Sequence, residues 1–244
     1  MEIKKESKDQ SAKSDCRIEI TKNGPYIVYG NVPIMTETIS CGETDTPTEW
    51  LPGKKYPSTP ACTLCRCGQS ANKPFCDGTH AKINFDGTET ADQDTYMSKA
   101  EVIDGPELKL TDYVALCASA RFCHRGGDIW QMIPKTNEPG VEKTCEENSF
   151  DCPSGRLVVW DKKTGKPLEP TLEKSIGLIE DPKIGVSGPL WVRGGIPVRS
   201  SNGKKYEVRN RITLCRCGKS TNKPFCDSSH YPEDYQEVKK DEQT

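Results

Sequence analysis

The chain has 244 residues and a formal net charge of -2, which excludes the strongly basic face of a nucleic-acid binder. Only 33% of residues are hydrophobic, with five Phe and four Trp, so its apolar cores are thin and something else must help hold it together. Thirteen cysteines are the candidate: their odd number, their clustering and the histidines beside them suit metal binding in a reducing compartment better than a disulfide framework. No apolar run approaches the roughly 20 residues of a spanning helix, and the N-terminus, MEIKKESKDQSAKSD, lacks the apolar stretch of a secretory signal. A cytoplasmic protein with no membrane and no nucleic-acid partner is expected.

Residues 1–16 are polar and aperiodic and read as a disordered tail. Arg17-Ile18-Glu19-Ile20 alternates, Lys22-Asn23-Gly24-Pro25 is turn chemistry, and Tyr26-Ile27-Val28-Tyr29 is a β-rich run. The same grammar returns at residues 188–198, where Gly-Pro-Leu-Trp-Val-Arg leads to Gly-Gly-Ile-Pro-Val. After each lead-in comes nearly the same sixteen-residue string. CRCGQSANKPFCDGTH runs from Cys65 to His80, and CRCGKSTNKPFCDSSH from Cys215 to His230. This is an internal repeat built on metal ligands spaced C-x-C-x8-C-x3-H. Pro33 stands 32 residues before Cys65, and Pro197 stands 18 before Cys215. Copy one thus carries a 14-residue excess, expected as loop around residues 44–60.

Between the copies, residues 110–122 read as a helix, with Leu110, Val114, Cys117 and Arg121 recurring at three or four. A strand follows near residues 157–160, then a Lys163-Thr164-Gly165-Lys166 turn. Residues 233–244 read as an acidic, frayed tail. The domains expected are 17–100, 101–186 and 187–232, between tails at 1–16 and 233–244.

Cys65 and Cys67 can reach one metal from an extended segment, while Cys76 and His80 share one face of a helical turn. Two donor pairs suit a two-iron cluster with one pair per iron, although the same four would also satisfy one tetrahedral zinc. The strings resemble the CDGSH iron–sulfur (mitoNEET-like) family, whose motif is C-x-C-x2-(S/T)-x3-P-x-C-D-G-(S/T/A)-H. Copy one matches at Cys65, Cys67, Ser70, Pro74, Cys76, Asp77, Gly78, Thr79 and His80. Copy two matches at Cys215, Cys217, Ser220, Pro224, Cys226, Asp227, Ser229 and His230, but Ser228 replaces the glycine.

The resemblance implies a [2Fe–2S] cluster on three Cys and one His in each copy, beside a small β-cap. It also implies pairing of two motifs, here as an internal pseudo-dimer within a monomer or in a homodimer. Imidazole in place of thiolate raises a cluster's potential, and a protonated imidazole no longer binds metal.

In the middle, Cys117-Ala118-Ser119-Ala120-Arg121-Phe122-Cys123 and Cys152-Pro153 are similar to divergent single-cluster bacterial ferredoxins. Three thiolates would hold [3Fe–4S], and His124 or Cys145 is near enough in sequence to complete [4Fe–4S]. The other reading of this unit is a fold with buried free cysteines. Cys16, Cys41 and Cys62 lie outside any motif.

The expected fold is mainly β with short helices (α+β). Two CDGSH-type β-cap modules, related by a pseudo-two-fold, flank a ferredoxin-like α+β insert. The expected function is one-electron transfer, or iron–sulfur cluster storage and transfer, with redox or cluster-acceptor proteins as partners and no enzymatic site. A structural zinc-binding adaptor and an electron-transfer subunit of an oxidoreductase complex are the alternatives.

Overall fold

The computed structural model describes residues 16–231 and 235–236; the tails expected at 1–16 and 233–244 otherwise lie outside the described residues. In chain order the strands of the first half are β1 (Arg17–Ile20), β2 (Tyr26–Tyr29), β3 (Ile34–Cys41), β4 (Pro47–Tyr56) and β5 (Ala61–Leu64). Two one-turn helices follow, α1 (Thr79–Lys82) and α2 (Tyr96–Lys99). The middle unit carries β6 (Glu101–Asp104), β7 (Leu108–Asp112), α3 (Ile129–Met132), α4 (Val141–Phe150), β8 (Leu157–Asp161) and β9 (Pro167–Leu168). The second half carries β10 (Ser175–Asp181), β11 (Val186–Arg193), β12 (Val198–Arg199) and β13 (Arg211–Leu214). The protein is thus mainly β with short helices.

The two copies are built alike and exchange strands. In one sheet, ordered β12-β1-β2-β5, three strands of copy one take in β12 of copy two, parallel to β1. In the other, ordered β13-β11-β10-β3-β4, three strands of copy two take in β3 of copy one, parallel to β10. Ile18 pairs with Val198, and Ile176 with Ile34. The inward residues of both copies form one core, with Ile18, Tyr26, Val28 and Leu64 packed with Ile176, Leu190, Val192 and Leu214. β10 is buried at every position, as a strand covered on both faces must be. It lies in the stretch assigned above to the middle unit but belongs to the second sheet. The copy-one excess is not a loop: β4 closes an antiparallel hairpin with β3 and edges that sheet.

The helix expected over 110–122 does not form. Leu108 and Leu110 alternate inward on β7, and Leu110 pairs with Val159 of β8. Later in the run, Ser119 and Arg121 adopt left-handed backbone, which no helix interior accepts. The middle sheet, ordered β6-β7-β8-β9, packs α3 and α4 over Leu108, Leu110, Leu157 and Val159.

Described residues at both margins are tied down. Cys16 packs against the shared core, and Ser187 N donates to Tyr235 O at 2.7 Å. Among the described residues, no helix is long and apolar enough to cross a membrane.

The motifs meet backbone to backbone. Gly68 and Gly218 have φ of 74° and 81°. A Cβ on Gly68 would stand 2.4 Å from Cys217 O, and one on Gly218 would stand 2.6 Å from Cys67 O. Neither position admits a side chain. Gly68→Ala should lower the unfolding free energy by about 2 kcal/mol or more. Gly78→Ala, with equally left-handed backbone (φ 88°) but open space around it, should cost only about 1 kcal/mol. Denaturant midpoints of the two variants check the difference.

Candidate metal centres

Each C-R-C segment continues the last strand of its copy, so alternate side chains face opposite ways. The cysteines go to one side and the arginine to the other. Arg66 and Arg216 are each only 1% exposed. Arg66 Nε donates to Gly24 O at 2.8 Å and its Nη2 to Thr21 O at 3.2 Å. Arg216 Nε donates to Gly188 O, and its Nη2 to Ile179 O and to Glu180 Oε1. Each guanidinium thereby fastens its motif to the hairpin of its own copy. The buried ion pair with Glu180 has no counterpart among the Arg66 contacts.

Beyond the cysteines both loops repeat one hydrogen-bond plan. Cys65 N donates to Pro74 O and Cys215 N to Pro224 O, each at 2.8 Å. Ser70 Oγ donates to Phe75 O at 2.6 Å and Ser220 Oγ to Phe225 O at 2.7 Å. Asp77 is no side-chain cap for α1, whose cap position is Gly78. It accepts instead from Ala71 N at 2.8 Å and Thr79 N at 3.0 Å, pinning the two arms of the loop together. Those N–H groups pull its carboxyl far below the usual range. Asp227 accepts from Thr221 N and Ser229 N in the same way.

The donors come as pairs. Cys65 Sγ and Cys67 Sγ are 3.8 Å apart, and Cys215 Sγ and Cys217 Sγ 3.6 Å. Cys76 Sγ stands 3.3 Å from His80 Nδ1, and Cys226 Sγ 3.5 Å from His230 Nδ1. Two sulfurs on one tetrahedral metal, with bonds of about 2.3 Å, stand about 3.8 Å apart. A sulfur and an imidazole nitrogen, with the nitrogen bond at about 2.0 Å, stand about 3.5 Å apart. All four pairs therefore have one-metal spacing, and the donor set fits an iron–sulfur group with one pair per iron.

The two sites differ in cover. Cys76 and His80 are half-buried, and His80 borders an open depression with Lys22, Asn23 and Asp86. Cys226 is buried and His230 is 4% exposed. Burial, then the charge of Arg216, lowers the His230 pKa to about 4. Burial likewise raises the Cys76 and Cys226 thiols. In the Cys215–Cys217 pair the mutual hydrogen bond lowers Cys215, helped by N–H groups of Ser220 and Gly218.

In the middle unit, Cys117, Cys123 and Cys152 line one cavity. Burial, then the neighbouring Cys152 and Cys117, pushes the Cys123 thiol up to about 12. Arg156 lies in the same wall, held by Asp112 at 2.6 and 2.7 Å, and supplies the opposing positive charge. The left-handed backbone at Ser119 and Arg121 coils the loop around the cavity. Three thiols around one cavity with a guanidinium beside them fit an iron–sulfur group.

Neither suggested fourth ligand lines that cavity. His124 is exposed and engages Asp128, and Cys145 is fully buried among Leu108, Ile129 and Val159. Arg156 and Ser154 are the polar cavity residues that spacing did not reveal; Ser154 Oγ is 3.6 Å from Cys152 Sγ. An Arg three residues after Cys152-Pro153 was the available signal. Cys41 lies 3.7 Å from Arg121 Nη2, and Cys62 sits on β5 against the core.

Acidification separates the paired sites. A histidine whose folded pKa is depressed gives stability that is complete above its unfolded pKa near 6.5 and is lost as pH falls toward about 4. The first site lies open to water where the second is covered, so visible absorbance should decay in two phases with the first site bleaching first. His80→Cys should remove the first phase alone. In the middle unit, His124→Ala should leave iron content unchanged, while Cys123→Ser should lower it; elemental analysis reads both.

Residues 23–81 and 187–231 match the family described as the iron-binding zinc finger of CDGSH type. Residues 103–162 match the family described as the divergent 4Fe-4S mono-cluster. Comparison with curated proteins and with solved structures gives no match. The chain therefore carries two CDGSH-type iron-binding regions set either side of a domain of the divergent 4Fe-4S mono-cluster type, and is an iron–sulfur protein.

Proposed function

We propose that the protein is a one-electron carrier holding three clusters. Two are [2Fe–2S], on Cys65, Cys67, Cys76 and His80 and on Cys215, Cys217, Cys226 and His230. The third rests on Cys117, Cys123 and Cys152, and with three protein thiolates its form is [3Fe–4S], or [4Fe–4S] with a non-protein fourth ligand. The observation that carries the reading is the pairing of donors at one-metal spacing, 3.8 and 3.3 Å in one copy and 3.6 and 3.5 Å in the other. Among the described residues, no three His, Cys, Asp or Glu side chains gather closely enough to hold a single metal ion, which weighs against one structural zinc per motif.

The clusters would supply reversible one-electron chemistry. The chain's own contribution is binding, shielding and charge. The buried Arg66 and Arg216 hold the cysteine arms, the loop N–H groups stabilise thiolate, and the imidazoles replace a negative ligand by a neutral one. Burial of the second motif favours retention over release, so electron transfer is preferred to cluster donation for that site. The half-buried first motif is the face offered to a redox partner.

Purified protein should be coloured and contain iron with acid-labile sulfide. An EPR signal in the oxidised state marks three irons in the middle unit. Axial or rhombic signals that appear only on reduction mark two- and four-iron clusters. Colourless protein that contains zinc alone and stays folded after metal removal overturns the proposal.

A further inference from the structure

The one departure from the repeated motif sits where the second copy touches the middle unit. Ser228 keeps the left-handed backbone of the glycine it replaces, at φ 73° against 88° for Gly78. Its N–H faces the Cys226 sulfur, as that of Gly78 faces Cys76. The hydroxyl is new, and it donates to Cys117 O at 2.8 Å. One residue thereby touches a candidate ligand of the second centre and a candidate ligand of the middle centre. Asn222 Nδ2 adds a second tie, to Ala115 O at 3.0 Å. A strained backbone outside glycine persists where the surroundings hold it. Here they do so through the hydroxyl.

Copy one has no such neighbour. A Cβ on Gly78 would meet nothing within 4 Å. The second loop is also tied from the other side: Thr90 N and Ala91 N both donate to Lys223 O, at 2.8 and 2.9 Å, and Thr90 Oγ1 donates to Thr221 O. Cys117 and Cys226 are thus bridged by one residue, and the charge of the first acts on the second.

We propose that Ser228 is a positioning residue that clamps the middle centre to the second CDGSH-type centre, making the two an electrostatically coupled redox pair. The inference rests on the three-cluster reading above. An electron added to either member of the pair puts negative charge beside the other and makes the next electron harder to add. In a partly buried contact that penalty exceeds its value in water, and it shrinks when more water enters and the local dielectric rises. Without the hydroxyl, no side chain of the second motif holds the Cys117 carbonyl, and water gains the seam. Coupling then weakens with every cluster still in place.

The test is potentiometry of the full-length, iron-loaded protein, poised with dithionite and read by EPR. His80→Cys assigns the first-centre signal. In the unmodified protein the second-centre signal should develop in two steps as the middle centre is reduced. Ser228→Gly removes the hydroxyl while suiting the backbone, and should narrow the separation of the steps at least twofold. Ser228→Asn accepts the same backbone and restores a donor, so it should recover the separation. A purely conformational role for position 228 gives the opposite order, with glycine preserving the two steps, and overturns the proposal. So does an iron-loaded protein whose second centre is reduced in one step. Protein holding zinc without iron overturns the three-cluster reading and this inference with it, so the two failures are told apart by metal content.

Discussion

An arginine placed between two cysteines on a strand cannot share their side, and the rest of the molecule depends on that. In each copy the thiols face the centre while the guanidinium turns inward, where it must find acceptors or leave a buried charge stranded. It finds them in carbonyls of the copy's own hairpin, Thr21 and Gly24 in the first half and Ile179 and Gly188 in the second. The motif is thus keyed to the sheet from behind. The Gly68–Gly218 contact presses the two keyed motifs together in front. Sheet, arginine and cysteine arm form one unit, built twice.

The two builds are not used alike. The first centre keeps a half-buried histidine and an open approach, whereas the second lies beneath the linker and the middle unit. The middle unit is also fixed from its other side. Arg121 of its cysteine loop pairs with the buried Asp181 of β10 at 2.5 Å, and Phe122 stacks on Trp50, which stacks on Trp191 of β11. An ion pair and an aromatic stack between the same two bodies set both distance and orientation. The insert therefore behaves as part of the second sheet, not as a bead on a linker.

What could be read from the sequence was what depends on near neighbours. C-x-C and C-x3-H bring donors together by strand and turn periodicity alone, so all eight positions paired as the spacing required. The hairpin around Gly24-Pro25 was legible for the same reason. The exchange of β3 and β12 was not, because parallel partners lie more than a hundred residues apart and leave no local trace. Residues 110–122 misled because Leu110, Val114 and Cys117 mimic a helical stripe, while pairing with β8 decides the backbone at Leu110. His124 and Cys145 were near in number only; the left-handed turn at Arg121 sends one outward, and α4 buries the other.

The crossed strands bear on how the molecule is made. Copy one cannot complete its sheet until Val198 has been synthesised, and copy two needs Ile34, which left the ribosome long before. Nascent chains generally fold from the N-terminus as units become complete, yet here neither unit is complete alone. Cys65, Cys67 and Cys76 must wait as reduced, unprotected thiols through most of translation. Loading with iron thus belongs after chain release, and a truncated chain would present sulfur with no sheet to seat it.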